Sequence, residues 1–243
     1  PDALLLNFRA LTLGFAPQAG RGIATVNAEP PLAGVKVDPS VALREAAACA
    51  DWRTDLKLDA SDPSRIRFRG SLATGCGDKS WPLAYADPAS YNARVLEALW
   101  REAGGKLVGR VRDGLAPATA PSFEFESPPL AQVVRDINKF SNNVMAQQLF
   151  LTLGLQAHGV GSEQTARDAV GPWLRGVIGA RADDVAIDNG SGLSRDTRIS
   201  ADAFAALLQS AWKSPVMPEF VASLPILGQD GTLRRAKGAA VAR

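Results

Sequence analysis

Ser141 and Asn143 stand two residues apart in the run Asp136-Ile137-Asn138-Lys139-Phe140-Ser141-Asn142-Asn143-Val144-Met145-Ala146, and their side chains are the ones best suited to chemistry. A hydroxyl can relay a proton, and an amide close by can hold a peptide carbonyl and a neighbouring lysine, provided both point into one cleft. Apolar residues at Leu130, Val133, Val134 and Ile137, then at Val144, Met145, Leu149, Phe150 and Leu153, read as one long helix through this run. Ser and Asn compete with helix backbone for hydrogen bonds, so a polar triplet there needs a reason. The plain reason is that Ser141 caps a second helix starting at this point. The chemical reason is a cleft at that helix start.

A second polar segment weighs toward chemistry. Asp188-Asn189-Gly190-Ser191-Gly192-Leu193-Ser194-Arg195 follows a short strand candidate, Val185-Ala186-Ile187, and precedes a helix that Ser200 could cap. Gly190 and Gly192 suit a tight turn and a close approach of backbone to a ligand.

Together the segments resemble the class C low-molecular-mass penicillin-binding proteins, D-alanyl-D-alanine carboxypeptidases and endopeptidases of bacterial cell walls. The resemblance rests on Lys139-Phe140-Ser141-Asn142-Asn143-Val144-Met145-Ala146, on Gly190-Ser191-Gly192-Leu193-Ser194-Arg195 and on Leu224-Pro225-Ile226-Leu227-Gly228-Gln229-Asp230-Gly231-Thr232-Leu233, in that order. It implies an α/β transpeptidase-like (serine β-lactamase/penicillin-binding) domain, incomplete here, with a β-rich inserted domain. It also implies a serine acyl-transfer enzyme that acts on peptidoglycan stem peptides, is acylated by β-lactam antibiotics and needs no cofactor. The expected location is the periplasm or extracytoplasmic envelope, with room for a loose membrane association. In that frame Ser141 would shuttle a proton between nucleophile, lysine and leaving amine, and Asn143 would hold the acyl-side amide and orient the lysine. Lys139 falls inside the motif, its side chain reaching either substrate or only solvent. Ser191, Gly192 and Arg195 are substrate-binding candidates. A guanidinium can pair bidentately with a carboxylate, so Arg195 and Ser191 would read the free end of a diaminopimelate stem residue, unless Arg195 pairs with Asp188 or Asp196 to brace the turn.

The family's remaining motifs are a Ser-x-x-Lys nucleophile, placed before Ser-x-Asn, and a Lys-Thr/Ser-Gly strand. The literal Ser-x-x-Lys match is Ser210-Ala211-Trp212-Lys213, which comes after Ser-x-Asn and reads as a solvated helix end. Lys237-Gly238 lacks the middle hydroxyl residue. The expectation is therefore a fragment that starts inside the family's insertion and stops before its last motif; Pro1-Asp2-Ala3 is not a natural translation start. A different class of function is a non-catalytic peptidoglycan-binding or scaffold protein that keeps the cleft without a nucleophile. A hydrolase built on His158, the single histidine, would need a partner constellation; that residue reads as an exposed loop position, and Gly-x-Ser-x-Gly is absent.

Composition is that of a globular chain: 243 residues, 46% hydrophobic and 21% charged, enough to bury a sizeable core. A net charge of +2 gives no footprint for nucleic acid. Apolar stretches fall short of the ~20 residues that span a bilayer. Two cysteines and one histidine at no ligand spacing argue against a metal. Cys49 and Cys76 bracket strand-like runs, Arg53 to Leu58 and Arg65 to Leu72, joined by a turn-rich stretch. A hairpin there would bring the thiols together; two unrelated buried thiols are the other reading. The resemblance and its envelope setting imply the disulfide, worth about 3–4 kcal/mol by loop entropy.

The chain divides near residue 86, giving 1–86 as part of the inserted domain and 87–243 as part of the transpeptidase-like domain. Short strands are expected over Leu5 to Phe15, Gly22 to Asn27 and Val35 to Val37, punctuated by prolines. Beyond 86 the spacing predicts helices over Tyr91 to Ala103, on both sides of Ser141, over Ser162 to Ile178 and over Ala201 to Ala211, with an alternating strand over Lys106 to Arg112. The five tryptophans are scattered and read as packing residues.

Overall fold

Alternation decides the first half of the chain. In the computed structural model, which describes residues 4–115, 118–121 and 123–234, β1 (Ala10–Gln18) turns Leu11, Leu13 and Phe15 to one face, where all three are buried. It pairs antiparallel with β2 (Ile23–Glu29). Next come β3 (Lys36–Val37), β4 (Ser40–Arg44), the short helix α1 (Trp52–Asp55), β5 (Leu58–Asp59), β6 (Arg65–Phe68), β7 (Ser71–Ala73), β8 (Lys79–Ala84) and helix α2 (Tyr91–Glu102). One sheet runs β7-β4-β2-β1-β8, with β4 and β7 parallel; a smaller one runs β3-β6-β5. Val41, Leu56, Ile66, Leu72, Tyr91 and Val95 close the core over β1. The Phe15 ring meets Trp52 and Phe68 edge-on at 5.8 and 5.4 Å.

Several expectations shift here. The run from Arg53 begins in a helix, because Asp51 accepts the Thr54 amide and hydroxyl and so caps α1. The hairpin shrinks to Leu58↔Phe68 and Asp59↔Arg67, while Ser71–Ala73 joins the other sheet. Cys49 and Cys76 are nonetheless joined in a disulfide. Lys106 to Arg112 forms no strand: Val108 is fully exposed, and alternation without a neighbouring edge to pair with leaves the segment irregular. Helix α2 packs on the strands that precede it. The Tyr91 hydroxyl donates to Ala10 O at 2.6 Å, and the Arg94 guanidinium to Ala33 O at 2.8 Å. Contacts accordingly divide the chain between residues 119 and 120, beyond the boundary expected near 86.

The second unit, from Ala120 onward, is helical. It contains α3 (Leu130–Phe140), α4 (Asn143–His158), α5 (Glu163–Ile178), the two-stranded ribbon of β9 (Val185–Ala186) and β10 (Arg198–Ile199), α6 (Ala201–Lys213) and α7 (Met217–Ser223). Capping sets the helix starts. Ser162 and Thr165 bond reciprocally at the head of α5, and Ser200 accepts the Ala203 amide at the head of α6. Phe150, Ala166, Leu174, Ile178 and Ala203 are buried, whereas Leu153, Trp173, Phe204 and Trp212 remain exposed. His158 ends α4 rather than sitting in a loop, and it is exposed. Lys237-Gly238 lies outside the described residues. Among the described residues no helix is long and apolar enough to cross a membrane.

The disulfide closes a loop of sequence separation 27 within the first unit. Reduction is expected to lower that unit's unfolding free energy by about 3–4 kcal/mol, read by denaturant titration with and without reductant. An unchanged midpoint would show that the closed loop does not constrain the unfolded chain.

Candidate active site

The helix that the apolar spacing draws through Ser141 is broken there. Ser141 adopts a left-handed backbone, φ 52 and ψ 48, at the C-terminus of α3. Its N–H and that of Asn142 both donate to the Ile137 carbonyl, closing the helix end. A left-handed non-glycine residue costs roughly 1–2 kcal/mol, and such strain collects at functional sites. The cap of α4 is Asn142 rather than Ser141: its Oδ1 accepts the Met145 amide at 3.1 Å. Relieved of capping, Ser141 is exposed and its hydroxyl has no partner among the described residues.

Asn143, the first residue of α4, turns its amide to the second polar segment, donating to Ser191 O at 2.7 Å. Gly190 and Gly192, at φ 70 and 78, make the tight turn that presents this carbonyl. Gly190 also lies against Phe150: a Cβ there would fall 2.5 Å from Phe150 Cβ. The base of the turn is held by Arg167 of α5, which donates to Asp188 O at 2.6 Å, and by Thr197, whose hydroxyl accepts the Asp188 amide at 3.2 Å. Ser141, Asn142, Asn143, Gly190, Ser191 and Gly192 thus line one cleft of about 250 Å³, together with Ile137, Asn138 and Ala146.

The third polar stretch anchors α3. Lys139, expected to reach substrate or solvent, is only 12% exposed at its side chain. Its ammonium donates to Leu224 O at 2.6 Å and to Asp230 Oδ2 at 2.5 Å. Asp230 Oδ1 accepts the Ile226 amide at 2.7 Å. The hydrogen bond from Lys139, with the Ile226 amide second, holds the Asp230 carboxyl below its ordinary range. Gly231 is packed so tightly that a Cβ would meet Lys139 O at 2.2 Å. Asn138 donates to the hydroxyl of Ser223, a buried residue, at 2.8 Å. These ties join residues 85 and 91 positions apart, and no local pattern announces them.

Other candidates stand apart from the cleft. Arg195 is exposed and pairs with neither Asp188 nor Asp196 among the described residues. Ser210 and Lys213 lie at the end of α6 and do not line the cleft. Two larger hollows, of about 590 and 660 Å³, flank α5; the first is lined by aliphatic side chains and two arginines already engaged elsewhere, the second by aliphatic side chains with Gln156 and Trp173, so size does not mark the site. Among the described residues no group of three or more His, Cys, Asp or Glu could hold a metal ion.

A family model described as D-Ala-D-Ala carboxypeptidase 3 (S13) family matches residues 2–242. The chain is 26% identical over 244 residues to a D-alanyl-D-alanine carboxypeptidase of Actinomadura sp. (strain R39), covering 95% of this chain and 45% of the relative. Its fold is similar to that of penicillin binding protein 4 from Haemophilus influenzae. Against the structure complexed with a β-lactam the TM-score is 0.57 at 21% identity, covering 94% of this chain and 53% of the other. Against a second structure of that protein the TM-score is 0.59 at 21% identity, covering 96% and 51%. The chain spans about half the length of the relatives it matches.

Gly190→Ala is expected to cost about 2–4 kcal/mol, combining a left-handed alanine with a clash against Phe150. Gly192→Ala, whose Cβ would meet nothing closer than Asn143 Nδ2 at 3.6 Å, should cost only the backbone part, about 1–2 kcal/mol. Chemical denaturation of the two variants decides it; equal losses would mean that Phe150 does not close the turn.

Proposed function

The chain belongs to the D-Ala-D-Ala carboxypeptidase 3 (S13) family, and from that premise we propose that it carries the Ser-x-Asn part of the active site of a serine D-Ala-D-Ala carboxypeptidase and endopeptidase. The substrates are peptidoglycan stem peptides, the intermediate is an acyl-enzyme, and β-lactams acylate the same serine. In the acylation step the serine oxygen bonds to the penultimate D-Ala carbonyl carbon. The C–N bond breaks, and the departing amine takes a proton relayed through the Ser141 hydroxyl. Water then cleaves the ester. Asn143 holds the acyl-side amide of the substrate and the lysine that activates the nucleophile. The observation that carries this reading is the convergence of the Ser141 hydroxyl, without a partner among the described residues and held in a left-handed turn, with Asn143 and the 190–192 turn on one cleft.

The nucleophile in this reading is a Ser-x-x-Lys outside these 243 residues, since Ser210 and Lys213 do not line the cleft. The β-rich unit corresponds to an inserted domain and the helical unit to part of the transpeptidase-like domain, and the protein works in the periplasm or extracytoplasmic envelope. A second reading, a peptidoglycan-binding scaffold with a degenerate cleft, draws on the same displacement of Ser210. Intact mass after incubation with a penicillin separates the two. The full gene product should gain one acyl adduct and this chain alone none. An adduct on this chain would give the role to Ser210, and no adduct on a folded full product would favour the scaffold.

Arg195 is exposed and has no ion-pair partner among the described residues, which suits recognition of the carboxylate at the free end of a diaminopimelate residue. Arg195→Ala in the full enzyme should slow hydrolysis of stems with that end by roughly tenfold or more and leave stems lacking it unchanged. Equal slowing of both substrates would sink the assignment.

A further inference from the structure

Asn189 takes no part in the reaction as drawn, yet the hydrogen bonds around it converge on a residue that does. Asn189 Oδ1 accepts the Ser191 backbone N–H at 3.1 Å and the Ser191 hydroxyl at 2.7 Å. The Ser191 hydroxyl oxygen in turn accepts the Leu193 N–H at 3.2 Å. These bonds fix the backbone on both sides of Ser191, between two glycines that, lacking a Cβ, add little steric restraint of their own on its backbone torsions. The carbonyl so fixed is the one that accepts the Asn143 amide at 2.7 Å.

A side-chain amide has a donor end and an acceptor end of nearly equal size, and a half-turn exchanges them. A backbone carbonyl only accepts, so Ser191 O can face only the NH2 end of Asn143. With that end engaged, one N–H and Oδ1 of Asn143 are left for the cleft in a fixed assignment: a donor for a carbonyl and an acceptor for an ammonium. Were the Ser191 peptide free to rotate, both assignments would be populated and the cleft would be preorganised only part of the time.

We propose that Asn189 is a positioning residue: through Ser191 it locks the Asn143 amide in the orientation that offers its second N–H and its Oδ1 to the cleft. This rests on the acyl-enzyme reading only for its kinetic consequence. Because Asn189 acts through Oδ1 alone, Asn189→Asp keeps both acceptor bonds, whereas Asn189→Ala removes them.

The test compares the full gene product as wild type, Asn189→Ala and Asn189→Asp, each labelled with 15N-asparagine, with the Asn143 side-chain signal assigned by its loss in Asn143→Asp. In the wild type one Asn143 amide proton should exchange slowly with solvent. Asn189→Ala should speed that exchange by roughly tenfold and lower the acylation rate constant with a penicillin by a similar factor, while the preceding non-covalent Kd moves less than about twofold. Asn189→Asp should stay within about threefold of the wild type in both measurements. The proposal is overturned if Asn189→Ala leaves Asn143 exchange unchanged, if Asn189→Asp is as impaired as Asn189→Ala, or if a freed Asn143 amide leaves acylation intact. Should the wild type form no adduct, the functional reading fails, and the Asn143 exchange rates alone decide the positioning role.

Discussion

Two helices that meet end to end at a sharp turn leave unpaired amides and carbonyls at the junction, and something must satisfy them. Here the left-handed backbone of Ser141 does so, bringing two consecutive N–H groups onto the Ile137 carbonyl and passing the chain to Asn142, which caps α4. The cleft depends on that geometry. It places Asn143 at the first position of α4, opposite the 190–192 turn, and leaves the Ser141 hydroxyl without a partner among the described residues. It also ends α3 with Asn138 and Lys139, which tie that helix to α7 and to the turn at residues 224–233. A continued helix would have carried all these side chains around its barrel at 100° steps and dispersed them.

The two units are held together by different physics. In the first, a sheet with alternating inward residues, an aromatic cluster and a disulfide close a core around Phe15. Among its described residues the second buries few large apolar side chains, and its cleft segments are joined by polar links: Arg167 to Asp188, Asn143 to Ser191, Lys139 to Asp230. A typical hydrogen bond contributes about 1 kcal/mol net, so the cleft is specified by several modest contacts rather than by close packing. Phe150 under Gly190 is the exception, a buried ring that sets where the turn can lie.

What was legible in the sequence was local. Leu11, Leu13 and Phe15 announce their strand by alternation, and Ser200 announces its helix by capping chemistry. The odd polar triplet at 141–143 and the Gly-Ser-Gly segment both mark the cleft. The rest is lost where local rules tie or where the deciding contact is distant. Ser and Asn cap about equally well, so spacing could not choose between Ser141 and Asn142. Asp51 makes a helix of a run whose composition suits a strand. Lys106 to Arg112 alternates, but alternation becomes a strand only where an edge is waiting. The burial of Lys139 depends on Asp230, far along the chain, and a lysine's default place is the surface.

The tie between α3 and the turn at 224–233 also has a thermodynamic face. Because Lys139 and the Ile226 amide hold the Asp230 carboxyl below its ordinary range, the folded protein binds that proton more weakly than the unfolded chain does. The sign follows: stabilisation from this contact is fully present above the unfolded aspartate's pKa of about 4 and fades as pH falls through the lower folded value. Asp230 is 40% exposed, so solvent screening keeps the effect modest. Acid thus acts on the last turn of α3 through proton uptake, at a carboxylate that does not line the cleft and that pairs with the lysine two residues before the backbone turn at Ser141.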